Sequence, residues 1–218
     1  MGLSDHHADI IGMWRNKASG NYAYFDLVES KAATDPFWAG DTVFRKMFDT
    51  LDISELLEIA CGQGRHSARV PKLYRRMALL DTSVAAIDVA KERFKDNPNV
   101  LTILSADGCT IDQRDNSFTA VFSYDAIVHF EPITVAAYLK EIARVLKPGG
   151  RALLHHSVYD KNPAGVFTTS ANWRNYMTRD LFLHFASRAH LAILHQNVFA
   201  WGAVENSDAL TLLEKAVL

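Results

Sequence analysis

The stretch LLEIACGQGRHSARV, Leu56 to Val70, sets the terms on which the rest of this chain is read. An apolar run carrying a carboxylate, Glu58, meets two glycines one residue apart, Gly62 and Gly64, and then a segment able to open a helix. A strand, a glycine turn and a helix in that order bring main chain close to a bound ligand. The dinucleotide fingerprint G-x-G-x-x-G needs a third glycine where Ser67 stands, so the match to a pyrophosphate site is weak. Glu58 argues further against it, because a carboxylate beside the turn opposes an anion and suits a cationic ligand.

Outward from this turn, short β-like runs alternate with helical ones. ELLEIA precedes HSARVPKLY, and RMALLD precedes SVAAIDVAKERF, in which Val84, Ile87, Lys91 and Phe94 share a helical face. VLTILSAD and TAVFSYD follow. ITVAAYLKEIARVL then places Tyr138, Ile142 and Val145 at helical spacing, and KPGG leads into RALLHHS. Pro148 stops that helix, with Gly149 and Gly150 free to take positive φ. Alternation of this kind gives parallel strands joined by crossover helices, so the fold class is α/β, a doubly wound open sheet. Two further strand candidates near the C-terminus, LAILHQNVFAWG and DALTLLEKAVL, are joined too tightly for a crossover and form an antiparallel pair at the edge. Ligands of such sheets bind beyond the carboxyl ends of the strands, which here are Glu58 to Gly64, Asp81, Asp107, Tyr124 to His129, and His155 to Ser157.

The whole chain sets limits on this reading. Its 218 residues suit one α/β domain with an appended cap. Residues 1–50, rich in aromatics, read as an N-terminal helical cap or lid, and residues 51–218 as the core. A net charge of -2 supplies no field to attract nucleic acid or an anionic membrane. The two cysteines, Cys61 and Cys109, lack metal-ligand spacing and disulfide density. With no signal-peptide pattern and no apolar run of the roughly 20 residues needed to cross a bilayer, a cytoplasmic location is expected.

LEIACGQGRH resembles the E/D-x-x-x-G-x-G motif of class I S-adenosylmethionine-dependent methyltransferases. The resemblance continues in order through LLDTS, SADG, FTAVFSYDAIVHF and YLKEIARVLKPGG, over about Leu56 to Ser157. It implies a Rossmann-like, mostly parallel seven-stranded sheet, with S-adenosyl-L-methionine as cofactor and S-adenosyl-L-homocysteine as product. Carried over by position, Ala60, Gly62 and Gly64 let main chain approach the methionine part, and Glu58 supports its ammonium group. Asp81, with Thr82 beside it, takes the ribose hydroxyls, since an ionised carboxylate offers two acceptor oxygens to a vicinal diol. Asp107 and Gly108 hold the adenine edge, while Tyr124 and Asp125 line the methionine side. Ala60 departs from the glycine common in the family, a small-for-small change.

Methyl transfer from a sulfonium needs a protein base only where the acceptor must lose a proton, as a hydroxyl does. Among the histidines near the active edge, His129 is the first candidate for base or acceptor-orienting group, with His156 behind it. Strand alternation sends His155 and His156 to opposite faces. The segment TTSANWRNYMTRDLF lies in an insertion at about residues 160–180. It offers Trp173, Arg174 and Tyr176 to a small polar ring, and Trp14 and Tyr22 could close over it. The acceptor is expected to be a small molecule methylated on a hydroxyl oxygen, of sugar, glycan or phenol type. SYDA stands where base methyltransferases carry Asn or Asp followed by Pro-Pro and an aromatic, so nucleic acid is not expected. No metal-ligand motif appears. The competing readings are an NAD(P)-dependent oxidoreductase and a non-catalytic S-adenosylmethionine-binding module. Oligomeric state is not legible.

Overall fold

The structure is a computed structural model that describes residues 5–19 and 36–217. Seven strands form one sheet: β1 (Glu55–Ile59), β2 (Arg76–Asp81), β3 (Val100–Leu104), β4 (Phe118–Ser123), β5 (Leu146–Ser157), β6 (Leu191–Trp201) and β7 (Val204–Lys215). Their spatial order is β3-β2-β1-β4-β5-β7-β6. Strands β1 to β5 pair in parallel, and β7 runs antiparallel to both β5 and β6. The expected antiparallel pair thus closes one edge of the sheet. The helices are α1 (Asp5–Ser19), α2 (Val43–Phe48), α3 (Val84–Arg93), α4 (Pro132–Val145) and α5 (Arg179–Arg188).

Strand residues buried on both faces explain the near-continuous apolar runs. Leu57, Ile59, Ala78, Leu80, Val121 and Leu154 pack beneath α4 and α5, against Tyr138, Leu139, Ile142 and Phe182. Their neighbours Leu56, Met77, Leu79, Ala120, Phe122 and Leu153 point the other way, toward Trp38, Phe44, Phe48, Ile87 and Ala90. Period-two alternation along each strand therefore supplies two cores.

Three local expectations are corrected. HSARVPKLY yields only a three-residue 3-10 turn, Ser67–Arg69, because Pro71 lacks an amide N–H and pushes Val70 into extended backbone. In α3 the buried stripe runs through Ala86, Ile87 and Ala90, leaving Val84 exposed at the first turn, where Ser83 caps the helix. KPGG joins the start of β5 instead of lying between helix and strand, and of its two glycines only Gly149 has positive φ, at +75°. Gly150 is needed for space: a Cβ there would lie 2.9 Å from Lys147 O and 3.0 Å from Thr119 O.

Candidate functional site

The carboxyl ends of β1, β2 and β4 open onto one cavity, at the place where strand order reverses between β1 and β4. Its floor is the turn after β1. Ala60, Gly62 and Gly64 all have positive φ, at 54°, 55° and 77°. The turn is tied down by the Cys61 N–H on Leu80 O (3.0 Å) and the Gly64 N–H on Cys61 O (2.9 Å). Asp81 ends β2 and faces it. Its Oδ2 accepts the Gly62 N–H at 2.8 Å and its Oδ1 the Ser83 N–H at 2.9 Å, and the Thr82 backbone adds a further donor, so the carboxylate keeps acceptor capacity for a ligand. Burial pushes the Asp81 carboxyl pKa upward, against the pull of those N–H groups.

Ala60, Gly62, Asp81, Thr82, Gly108, Tyr124 and Asp125 all line the cavity. Three other residues expected there do not. Glu58 is 2 % exposed and turns its carboxylate onto the Ser67 N–H (3.1 Å) and hydroxyl. Burial raises its pKa to about 8, against the pull of the two Ser67 donors. Gly64 packs beneath the turn, where a Cβ would lie 2.9 Å from the Phe94 ring. Asp107 caps its own loop: Oδ1 accepts the N–H groups of Cys109 (3.0 Å) and Thr110 (2.8 Å), and Oδ2 the Thr110 hydroxyl (2.6 Å). Burial would raise the Asp107 pKa, but these donors together hold it below the usual carboxylate range.

Helix α1 covers the cavity with His7, Ile10, Ile11 and Trp14. It is anchored by His7 Nε2–H on Asp107 O (2.7 Å), His7 Nδ1 against Thr134 Oγ1 (2.7 Å), and Arg15 on the carbonyls of Thr82 (3.0 Å) and Ala106 (2.9 Å). Trp14 lies 5.4 Å from the His129 ring and 6.4 Å from that of Trp173, centroid to centroid. Tyr22 lies outside the described residues.

His129 lines the cavity beside Trp14. Its Nδ1–H donates to Trp173 O at 2.6 Å, since a carbonyl can only accept, and this leaves Nε2 as the basic nitrogen. Burial lowers its pKa to about 4, so the ring is neutral near pH 7. His156, the second expected catalytic residue, lies in the core. It stacks on Phe182 at 3.4 Å and meets Thr211 Oγ1 at 2.8 Å, beneath α5 and outside the cavity lining.

Arg174, expected to touch the acceptor, is 2 % exposed and committed to Asp208. Nε meets Oδ1 at 3.0 Å, Nη2 meets Oδ2 at 2.6 Å, and the guanidinium lies 4.8 Å over Trp201. Tyr176 is half-buried and does not line the cavity. His155, on the strand face opposite His156, accepts the Asp125 N–H on Nδ1 (3.0 Å) and meets Asp208 Oδ2 with Nε2 (2.7 Å). Arg65 pairs with Asp125 at 3.1 Å. The sequence reading missed the Asp208–His155–Arg174 cluster because no local motif links β7, β5 and the insertion. Arg65 and His66 lay within the quoted stretch and were passed over in favour of its glycines.

Among the described residues, no group of three or more His, Cys, Asp or Glu side chains is placed to hold a metal ion. No described helix is long and apolar enough to cross a membrane.

Residues 57–154 match a family described as a methyltransferase domain. With the motif order and the seven-stranded topology, that stretch is a methyltransferase domain of the class I S-adenosylmethionine-dependent type. It is 31 % identical over 117 residues to a demethylmenaquinone methyltransferase of Corynebacterium kroppenstedtii, a match covering 54 % of this chain and 47 % of that protein. It is 25 % identical over 119 residues to the methyltransferase GfsG of Streptomyces halstedii, covering 52 % and 42 %. The chain thus aligns with less than half the length of these curated relatives. In fold it is similar to a geranyl diphosphate C-methyltransferase of Streptomyces coelicolor A3(2), with TM-score 0.72 and 14 % identity over 99 % of this chain and 100 % of that one. The [4+2]-cyclase SpnF is also similar, with TM-score 0.65 and 16 % identity over 80 % of each chain.

Proposed function

We propose that the cavity binds S-adenosylmethionine and that the chain transfers its methyl group to a small-molecule acceptor, at a hydroxyl oxygen of a sugar or phenol type. The observation that carries the cofactor reading is the pairing of the left-handed turn at Ala60 and Gly62 with Asp81, whose carboxylate lines the cavity with acceptor capacity to spare. The donor set fits the group: Asp81 and Asp125 line the cavity, while Arg65, the one permanent cation among the described lining residues, is paired to Asp125. Such a wall suits a sulfonium better than a pyrophosphate.

When bound, the cofactor supplies an electrophilic methyl group to an in-line displacement. Asp81 would take the ribose diol, Gly108 would allow the adenine to approach, and the turn would hold the amino-acid end. His129 would accept the acceptor's proton at Nε2, held in that tautomer by Trp173 O. Trp14 on α1 would exclude water from above, so α1 would act as a cap on a single domain, with the segment around Trp173 held behind His129 on the acceptor side. A soluble small molecule in the cytoplasm is the partner this reading names.

Calorimetric titration with S-adenosylmethionine, S-adenosylhomocysteine and NAD tests the cofactor. Binding of the first two without NAD supports the reading, and binding of NAD alone overturns it. A labelled-methyl screen of sugars and phenols then tests the acceptor. In an active pair, His129→Ala should lower turnover with little change in cofactor affinity, and full activity in that variant would remove His129 as base.

A further inference from the structure

His66 follows the glycine turn, lines the cavity and is 2 % exposed. The Trp38 indole N–H, which can only donate, points at its Nδ1 at 3.1 Å. Nδ1 must therefore accept, and the ring proton resides on Nε2. Burial first, and Arg65 second, hold the His66 pKa well below its usual value, so the doubly protonated ring is excluded near neutral pH. The Nε2–H is buried and has no partner among the described residues. Aromatic packing keeps the ring from turning to find one. Tyr124 lies edge-on to it at 5.3 Å, Phe37 at 6.3 Å, and Trp38 is itself wedged against Phe44 and Phe48 at 5.1 and 4.9 Å. A buried donor without a partner is costly to the folded chain, and this one belongs to a residue of the cavity wall.

We propose that the Nε2–H of His66 donates a hydrogen bond to a carboxylate oxygen at the amino-acid end of the cofactor. This rests on the cofactor reading above and adds the residue that reads that end. His66 belongs to the same segment as Gly62 and Gly64, against which the amino-acid end is placed. A zwitterion needs acceptors for its ammonium and donors for its carboxylate. Asp81 and Asp125 in this wall can supply only acceptors when ionised, and Arg65 is committed to Asp125. A neutral imidazole N–H also holds a carboxylate without placing a further cation beside the sulfonium.

The test compares S-adenosylhomocysteine with 5′-methylthioadenosine, an adenosine thioether without the amino-acid end. In His66→Asn the amide oxygen can still accept from Trp38, but the ligand-facing donor is gone. In His66→Gln an amide N–H is restored near the Nε2 position. Calorimetry should show His66→Asn weakening S-adenosylhomocysteine roughly ten- to a hundredfold, with 5′-methylthioadenosine unchanged and partial recovery in His66→Gln. In the parent chain, the nitrogen-15-coupled Nε2 proton of His66 should move downfield with S-adenosylhomocysteine and not with 5′-methylthioadenosine. Equal loss of both ligands in both variants, no loss of either, or a proton shift indifferent to the carboxylate would overturn the assignment. A parent chain that binds neither adenosine ligand would overturn the cofactor reading and this inference with it.

Discussion

The cavity wall at the ends of β1 and β2 is built from near neighbours in sequence, whereas the wall at the end of β4 is backed from β5, β7 and the insertion by distant ones. In the first, a backbone turn meets a carboxylate nineteen residues on, through the Gly62 N–H and Asp81. In the second, His155 reaches Asp208 across 53 residues of chain and Arg174 reaches it across 34. One wall offers main chain and a half-open carboxylate to a ligand. The other spends its polar groups on each other and presents to the cavity mainly what they position, the Asp125 backbone held by His155. On the proposed reading, the first wall takes the cofactor and the second faces the acceptor. The likeness in fold to both a C-methyltransferase and a [4+2]-cyclase fits it, since the scaffold does not set the chemistry.

The sharpest way to break the comparison is to remove the cation of the second wall. Arg174→Met leaves Asp208 fully buried with His155 as its main remaining partner. The variant should lose about 3–5 kcal/mol of stability, the usual cost of stranding one member of a buried ion pair, read from urea denaturation. A loss under about 1 kcal/mol would show that the cluster does not hold the wall together. Asp81→Ala makes the matching cut in the first wall. It should weaken S-adenosylhomocysteine by about 1.5–3 kcal/mol, as for hydrogen bonds to a charged group, with a smaller change in stability. Unchanged affinity would take Asp81 out of the site.

Acid sharpens the contrast. Burial holds His129 near pKa 4 and His156 near 3, against about 6.5 in the unfolded chain. A histidine depressed in this way binds fewer protons folded than unfolded. The stability it contributes is therefore full above pH 6.5 and is lost as pH falls toward the folded value. Glu58, raised to about 8, acts with the opposite sign between pH 8 and about 4.5, so the difference between parent and variant is the useful readout. Between pH 7 and 5, the parent should lose about 2 kcal/mol more than His156→Gln. Parallel pH profiles would mean that His156 titrates normally.

The seven strands were legible because residues buried on both faces leave unbroken apolar runs, and the glycine turn was legible because φ above zero selects residue types locally. Polar side chains were legible where a strand end itself carries them to the cavity, as for Asp81 and Asp125, and not where burial or a partner turns them away. Glu58 was read as a ligand group because its position beside the turn is visible, while its burial against Ser67 depends on how the turn closes. His156 was read as a candidate base because it ends the fifth strand, and Arg174 as an acceptor contact because it lies in the insertion that follows. Their partners, Asp208 and Thr211, lie on β7, and no pattern in the sequence announces that β7 inserts between β5 and β6. His66 and Trp38 pair across 28 residues, and that pairing alone reveals the tautomer.

The smallest effect tests the first wall at its one departure from glycine. Ala60 holds φ at 54°, where a β-carbon crowds the following carbonyl at about 1–2 kcal/mol. Ala60→Gly removes that strain but adds back roughly 0.5–1 kcal/mol of unfolded-state entropy. The net gain should be about 1 kcal/mol or less, visible as a small rise in the denaturation midpoint. If the turn is held in place by the Gly62 N–H on Asp81 and the Cys61 N–H on Leu80 O, its shape should survive the change and S-adenosylhomocysteine should bind as before. A more stable variant with weaker binding would mean that the alanine methyl itself packs on the ligand. In that case this wall would resemble the second one, its fit set by a side chain as well as by backbone.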